Sequence, residues 1–203
     1  MEFSEVVRRR RMVREFADRP IAAESVERIL ATGQRGPSAG FVQGFAFLVL
    51  TEPADLARFW PFAPNQTRYK PRVMNAPLVV VPLADRATYL ERYTEEGWPA
   101  PYWSIDTGMA AMLMLLTAVD EGLDAFLFWL MPDAETKAAD SDVPPHVQAF
   151  REEFGIPEGL DPIGAIAIGH RADDHPPQRP EVAERRRAPE TLIHRGRWQG
   201  DSA

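Results

Sequence analysis

Residues 8–16 read RRRRMVREF, so five arginines fall within seven residues of a chain whose formal net charge is -7. A surface helix that only needs to be soluble mixes both signs of charge. In a short helix from Glu5 to Arg10 capped by Ser4, cations in the last turn complement the helix dipole, which explains one or two of the arginines. The whole cluster, with a second one at residues 185–187, predicts an anionic partner.

The size and composition of the chain favour one domain with a substantial core. The chain has 203 residues, 45% of them hydrophobic, and no cysteine. The lack of cysteine excludes disulfides, thiolate metal ligands and cysteine nucleophiles, and it fits a reducing cytoplasm. The longest apolar run, residues 109–119, is too short to span a membrane, and the N-terminus shows no secretory signal. We therefore expect a cytoplasmic protein without a membrane partner.

The acidic charge balance argues against nucleic acid as the partner of the arginines. Affinity for nucleic acid comes mainly from an extended basic surface that releases counterions, whereas this chain has a pI of about 5.2. Nearly all of its positive charge is arginine, whose planar fork suits bidentate contacts to phosphate or carboxylate. An anion-binding or nucleic-acid-binding module without a cofactor is the alternative, and steeply salt-dependent binding of oligonucleotides would identify it.

Hydrophobic patterning predicts helices and strands that interleave along the chain, which is typical of a layered α/β or α+β fold. Apolar runs predict buried strands at residues 45–50, 77–83, 124–130 and 162–169. A polar connection is predicted at residues 131–143.

The longest predicted helix runs from Ile105 to Glu121, with Ser104 as its cap and Gly122 as its stop. It is apolar nearly all round, and a helix of that kind is buried on every side. In a domain of this size, that property favours a subunit interface. The charged tail from His170 ends with apolar residues, which predicts an arm that packs on a second copy of the chain.

Common motifs of nucleotide, metal and hydrolase chemistry are missing from the sequence, among them GxGxxG, GxxxxGK[ST], HExxH and GxSxG. His170 and His175 flank two aspartates, but on a proline-rich segment that is more typical of a solvated turn than of a metal site. What remains is two arginine clusters, a small-residue loop at residues 36–44 and many aromatic residues. This combination suits a cofactor with a phosphate and a flat ring, and a flavin would carry the redox chemistry itself.

Five motifs, in order along the chain, resemble those of the FMN-dependent nitroreductase family. They are RRMVREF at residues 10–16, the Pro-Ser loop at 37–43, the central helix with its Gly-Leu exit at 103–123, GIPEG at 155–159 with the strand that ends at 169–170, and RRRAP at 185–189. The resemblance implies one α+β domain over residues 1–203, with a central mixed β-sheet flanked by helices. It also implies a homodimer around the long central helix, with an exchanged C-terminal arm at residues 170–203.

The resemblance further implies that FMN is bound by residues from both ends of the chain and by a loop from the partner subunit. The implied phosphate and pyrimidine contacts are Arg10, Arg11, Met12, Arg14, Arg185 and Arg187. The implied loop contacts are Pro37, Ser38, Ala39 and Gln43, and the implied neighbours of the ring are Arg72, Leu127, Phe128 and Trp129. Candidate walls of a substrate site are Phe41, Trp98, Tyr102 and Trp103. Core packing or exposed ion pairs are the competing explanation for several of these residues.

The activity implied by the resemblance is a ping-pong oxidoreductase. NAD(P)H delivers hydride to flavin N5 and leaves, and a small flat acceptor (a nitroaromatic, a quinone or a flavin) takes its place. No side chain is then expected as a catalytic acid or base, and no metal is implied. Gly44-Phe45 replaces the family's usual Pro-Trp, and Phe41 replaces Asn, so the surroundings of the ring are more apolar. The acceptor, the choice of NADH or NADPH, and an alternative role in holding FMN or a deazaflavin without turnover all stay open.

Overall fold

The computed structural model describes residues 1–93, 100–130 and 145–198, in two compact units, Met1–Asp173 and Asp174–Ala203. The helices of this part of the chain are α1 (Phe3–Arg9), α2 (Ala23–Gly33), α3 (Pro53–Phe59), α4 (Pro64–Tyr69), α5 (Arg86–Leu90), α6 (Tyr102–Asp120), α7 (Pro145–Phe154) and α8 (Glu181–Glu184). The strands are β1 (Phe45–Leu50), β2 (Leu78–Asp85), β3 (Asp124–Phe128), β4 (Leu160–Pro162) and β5 (Ala165–Gly169). The predicted connection at residues 131–143 lies outside the described residues.

The strands form one sheet in which each pairing of named strands is antiparallel. Their order is β1-β2-β5-β3, and β4 pairs with the end of β2. The predicted mixed sheet is therefore wrong for these strands, although one parallel bridge joins Met12 to Ala125. The reason lies in the insertion of β5. Helix α6 connects β2 to β3 so that both run the same way, but β5 lies between them and runs the other way. The predicted α+β class is confirmed.

A β-bulge divides the strand that was predicted at residues 162–169. Three residues lie between the last residue of β4 and the first residue of β5 that pair with β2. Two residues of β2 face these three, which is the count of a β-bulge. Pro82 of β2 has no N–H to give to the ladder, and its carbonyl accepts from Ile163 N at 3.1 Å. Gly164 follows with φ 139°, and a Cβ there would lie 2.8 Å from the carbonyl oxygen of Phe128. The bulge therefore depends on a glycine, and it lies against the end of β3.

The core lies on both faces of β2, whose alternating side chains enter two hydrophobic clusters. Val79 and Val81 join the cluster that contains the aromatic rings of α3 and β3. Leu78 and Val80 join the cluster that contains the buried side of α6. Burial on both faces explains why β2 reads as a continuous apolar run rather than an alternating one.

Two helices begin earlier than the sequence predicts. Helix α1 starts at Phe3 rather than Glu5, and α6 starts at Tyr102 rather than Ile105. Ser4 and Ser104 consequently lie inside the first turns, so neither caps a helix. The residues before the two helices make no side-chain cap hydrogen bond.

Helix α6 buries one side in the core and leaves an apolar stripe on the other. Ile105, Met109 and Met112 are 45%, 36% and 44% exposed, and Leu113 and Leu116 are half-buried. By length and composition α6 could cross a membrane, with a mean hydropathy of 1.3, but 44% of that segment is buried inside the protein, as in a core helix. In this chain alone one side of α6 is therefore exposed, and its burial against a second subunit stays a prediction. We call these five residues the α6 stripe.

Candidate functional site

The arginine-rich segment of the sequence leaves helix α1 after Arg9 and runs beside strand β3. Met12 forms a parallel bridge with Ala125, and Val13 N donates to Ala125 O at 3.1 Å. Val13 is fully buried, whereas Met12 is half-buried against both core clusters. Since alternate residues of an extended segment point to opposite sides, Arg14 is directed away from the core, and its side chain is exposed.

The guanidinium of Arg10 has a buried nitrogen atom. The residue is half-buried, and its Nη1 atom makes no hydrogen bond within the part of the chain that the structure describes. A buried charged N–H without an acceptor costs free energy, so this position fits an anionic ligand. The neighbouring Arg8 and Arg9 differ, because they are exposed and form ion pairs with Glu5 inside α1.

The guanidinium of Arg14 contacts both a backbone carbonyl and an aromatic ring. Its Nη1 donates to Met12 O at 3.1 Å, and its Cζ lies 4.4 Å from the centroid of the Phe126 ring. This cation–π contact holds the exposed side chain against β3. Arg11 is half-buried.

Arg72 lies close to the same segment, because Phe16 N donates to its carbonyl at 3.1 Å. Its Nη2 donates to Glu15 Oε1 at 3.0 Å, and Lys70 Nζ donates to Glu15 Oε2 at 3.2 Å. The Arg72 hydrogen bond is the largest cause that lowers the pKa of Glu15, and Lys70 lowers it further against an opposing effect of desolvation. Sequence reasoning predicted Arg72 but missed Glu15, whose partners lie more than fifty residues away.

We expect Glu15→Gln to reduce the free energy of unfolding by roughly 1 kcal/mol at pH 7. Because the pKa of Glu15 is lower in the folded state, its stabilisation is complete above the unfolded-state value of about 4.3 and is lost as the pH falls through the folded-state value. The difference between the variant and the wild type should therefore shrink below about pH 4. Urea unfolding at pH 7 and pH 3.5 measures it, with the exposed Glu52→Gln as a control. A difference that persists unchanged at pH 3.5 would contradict this assignment.

The end of strand β3 combines a core residue with an exposed one. Phe128 is buried, and its ring stacks on Trp60 and Phe126 with centroid distances of 6.1 and 5.1 Å. Its side chain therefore belongs to the core. Trp129 is 63% exposed, and Leu127 is half-buried. We call residues 10–14, Arg72 and residues 127–129 the arginine edge, because residues 12–14 contact β3 and Arg72 is linked to the same segment through Glu15 and Phe16.

The loop at residues 37–43 has an unusual backbone. Gly40, Phe41 and Gln43 have φ values of 56°, 59° and 54°, in the left-handed region. For a residue with a Cβ this conformation costs roughly 1–2 kcal/mol, and it persists only where the surroundings enforce it. Gln43 N donates to Ser38 Oγ at 3.0 Å and closes the loop on itself. The Phe41 side chain is 79% exposed.

Two residues that sequence reasoning missed hold this loop in place. Asp106 of α6 accepts hydrogen bonds at Oδ2 from Ala39 N and from the hydroxyl of Tyr89, each at 2.7 Å. Arg92 donates to the carbonyl of Gly40. A signal was present in the sequence, because Asp106 is the one charged residue between positions 102 and 119. Aspartate is almost never fully buried unless it is paired, so a lone aspartate in an apolar helix indicates a specific partner.

The aromatic residues at the start of α6 pack against α5 and the segment that follows it. The rings of Tyr102 and Tyr93 are 5.0 Å apart, and Arg86 Cζ lies 5.3 Å from the Trp103 ring. Trp98 lies outside the described residues. We call residues 37–43 with Tyr89, Asp106, Tyr102 and Trp103 the loop cluster.

The second unit carries the other predicted arginines. Arg185 and Arg187 are both exposed. Arg185 N donates to Glu181 O at 3.0 Å at the end of α8, and Arg187 Nη2 lies 3.4 Å from Thr191 O. Their assignment to a phosphate stays a prediction.

Comparison with known proteins matches residues 7–170 to the model of the "Nitroreductase family". A protein of Methanothermobacter thermautotrophicus, provisionally named NADH dehydrogenase/NAD(P)H nitroreductase, is 26% identical over 174 residues, which are 86% of this chain and 80% of the relative. A nitroreductase family protein of Clostridium difficile 630 superposes with a TM-score of 0.72 at 22% identity, over 98% of this chain and all of the other. A provisionally named nitroreductase of Exiguobacterium sibiricum 255-15, crystallised with FMN, has a TM-score of 0.68 at 18% identity, over 91% and 95% of the two chains.

Proposed function

The chain is an oxidoreductase of the nitroreductase family, and on that premise we propose that it uses FMN to transfer reducing equivalents from NAD(P)H to a small flat acceptor. The proposed acceptors are nitroaromatics, quinones or flavins. Named relatives support this choice, since one is called an NAD(P)H nitroreductase and a fold neighbour was crystallised with FMN.

The observation that carries the proposal is the buried Nη1 of Arg10, which has no hydrogen-bond partner among the described residues. A phosphate oxygen is a strong acceptor for a guanidinium, and a charge-assisted bond of this kind contributes roughly 1.5–3 kcal/mol. Arg11 and Arg14 follow on the same segment, beside β3. We propose that these three residues hold the FMN phosphate and pyrimidine side.

When bound, FMN supplies the redox chemistry at its ring, which takes a hydride from NAD(P)H and reduces the acceptor in a second, ping-pong half-reaction. The chain's own residues then need only to bind and orient the reactants. The exposed rings of Phe41 and Trp129 offer flat apolar surfaces for an acceptor. Tyr102 and Trp103, half-buried at the start of α6, are proposed to support that surface.

We propose that the protein is a homodimer with the α6 stripe at the subunit boundary. An apolar stripe of this length on a monomer marks an interaction site. Helix α1 extends the surface, because Phe3 and Val7 are exposed and the Met1 amino group donates to Asp120 of α6 at 2.6 Å. The loop cluster is attached to the same helix through Asp106. In the proposed dimer, the arginine edge of one subunit and the loop cluster of its partner complete one flavin site.

An absorption spectrum of the purified protein tests the proposed function directly. We expect flavin bands, and we expect them to bleach when NADH or NADPH is added anaerobically and to return when a nitroaromatic or quinone is added. Bands that neither nucleotide bleaches would instead indicate a flavin-binding protein without turnover. Apoprotein incubated with riboflavin, which lacks the phosphate, is the matched control and should bind much more weakly than with FMN. Equal affinity for FMN and riboflavin would remove the arginine assignment.

A further inference from the structure

The backbone of residues 37–43 has an unfavourable conformation that contacts with other residues must stabilise. Phe41 and Gln43 adopt left-handed φ values that side chains rarely take, and a free loop would relax out of them. The hydrogen bond from Gln43 N to Ser38 Oγ is too local to fix the loop relative to the rest of the protein. The loop must therefore be held from outside.

One external contact comes from Arg92, which donates to Gly40 O, and another is made by a carboxylate oxygen that also accepts from a buried tyrosine. Asp106 is 2% exposed, and its Oδ2 accepts from the Ala39 amide and from the Tyr89 hydroxyl, each at 2.7 Å. Tyr89 is fully buried, so this hydroxyl has little access to water. Burial and the contact with Asp106 raise the pKa of Tyr89, which keeps the hydroxyl protonated and available as a donor.

The chain also makes room for this pair at Gly44. A Cβ on Gly44 would lie 2.5 Å from Cε2 of Tyr89, so only glycine lets the ring pass beneath the end of the loop. Asp85, which precedes α5, donates its amide to the carbonyl of Gly44 at 2.9 Å. Ala39 within the loop is thus tied to Asp106, and Gly44, directly after the loop, is tied to the residue before α5, the helix that carries Tyr89.

We propose that Asp106 and Tyr89 are positioning residues of the flavin site, which hold the loop of residues 37–43 in the shape that meets the flavin bound by the partner subunit. They act through Ala39 and Gly44 rather than by touching the flavin or the acceptor. A buried carboxylate that accepts a hydrogen bond from a loop amide contributes nothing to apolar packing. Its effect is to fix one conformation of the loop. The inference rests on the proposed FMN function.

Asp106→Ala, Asp106→Asn and Tyr89→Phe test this role in the full-length protein. We expect Asp106→Ala to weaken FMN binding by apoprotein at least tenfold in a fluorescence titration. Asp106→Asn keeps an acceptor oxygen and should lose less. Tyr89→Phe removes one hydroxyl from a preserved ring, so it should fold even if Asp106→Ala does not, and we expect three- to tenfold weaker binding.

Amide hydrogen exchange of Ala39 separates positioning from general stability. In the wild type this amide is bonded to a buried carboxylate and should be protected, whereas Asp106→Ala should expose it even in apoprotein. Arg10→Ala, a change in the arginine edge, should leave Ala39 protected. If FMN binds the wild type but its dissociation constant is unchanged in Asp106→Ala and Tyr89→Phe, the pair is merely structural, even where Tm falls. Wild-type protein that does not bind FMN overturns the proposed function and this inference together.

A hybrid dimer tests whether the loop serves the partner's site. One subunit carries Arg10→Ala and the other carries Asp106→Ala, with different affinity tags for purification. If each site combines the arginines of one subunit with the loop of the other, both defects fall in one site and the second site is intact. We expect one tightly bound FMN per hybrid dimer and none in either homodimer. A hybrid without a tight site would show that Asp106 acts within its own subunit and would overturn the cross-subunit arrangement.

Discussion

Replacement of Arg10 by alanine is expected to weaken FMN binding about 10- to 100-fold. Arg10 Nη1 is buried without a partner in the described residues, so a phosphate oxygen would gain a strong, desolvated donor there. Loss of one charge-assisted hydrogen bond costs roughly 1.5–3 kcal/mol, and each 1.4 kcal/mol is tenfold in affinity. Fluorescence titration of apoprotein measures the change.

Arg8→Ala is the matched control, because Arg8 lies two residues earlier, is exposed, and forms a 4.0 Å ion pair with Glu5. It should leave the FMN affinity unchanged. Arg10→Ala should weaken FMN binding without destabilising the apoprotein. Because it removes a buried group that is unsatisfied within the described residues, the Tm of the apoprotein should stay unchanged or rise. Equal FMN affinity in Arg10→Ala and the wild type would remove Arg10 from the site.

The combined substitution Met109→Glu and Met112→Glu is expected to convert the protein from a dimer to a monomer at micromolar concentration. Both side chains belong to the α6 stripe and point away from the core, at 36% and 44% exposure. The proposed dimer would bury both glutamates of each subunit at the boundary without a partner, which costs free energy. Analytical ultracentrifugation measures the change, and FMN binding should fall with it.

Met109→Leu with Met112→Leu is the matched control, because it keeps the apolar surface and should keep the dimer. Circular dichroism should show that the glutamate variant is still folded, since neither methionine is in the buried core. A glutamate variant that sediments as a tight dimer would place the subunit boundary elsewhere.

Local patterns in the sequence predicted the parts of the fold that depend on local physics. The apolar runs became β1, β2 and β3 with small shifts at their ends, and the long apolar helix became α6. The family and the α+β class, inferred from five ordered motifs, are confirmed. The direction of β5 was not predictable, because strand direction depends on how distant connections cross the sheet. The bulge at Gly164 was not predicted either, although Pro82 in a central strand indicated an irregular ladder.

The candidate site shows the same division. Arginines 10, 11 and 14 stood out in the sequence because five like charges in seven residues need a reason. The pairs Glu15–Arg72 and Ala39–Asp106 span 57 and 67 positions, and no local pattern reports such contacts. The left-handed backbone of Phe41 was equally hidden, because its type gives no sign of it. The predicted ligand contacts themselves stay predictions.

If FMN occupies the proposed site at Arg10, its binding couples the survival of this protein to the supply of riboflavin, the vitamin from which FMN is made. A ligand that binds only the folded form stabilises it by about 2.7 kcal/mol at a hundredfold excess over its dissociation constant. Cells starved of riboflavin would then hold more of the chain in states that open, and proteases remove such states. The cellular amount of the protein should consequently follow the flavin supply, even at constant transcription.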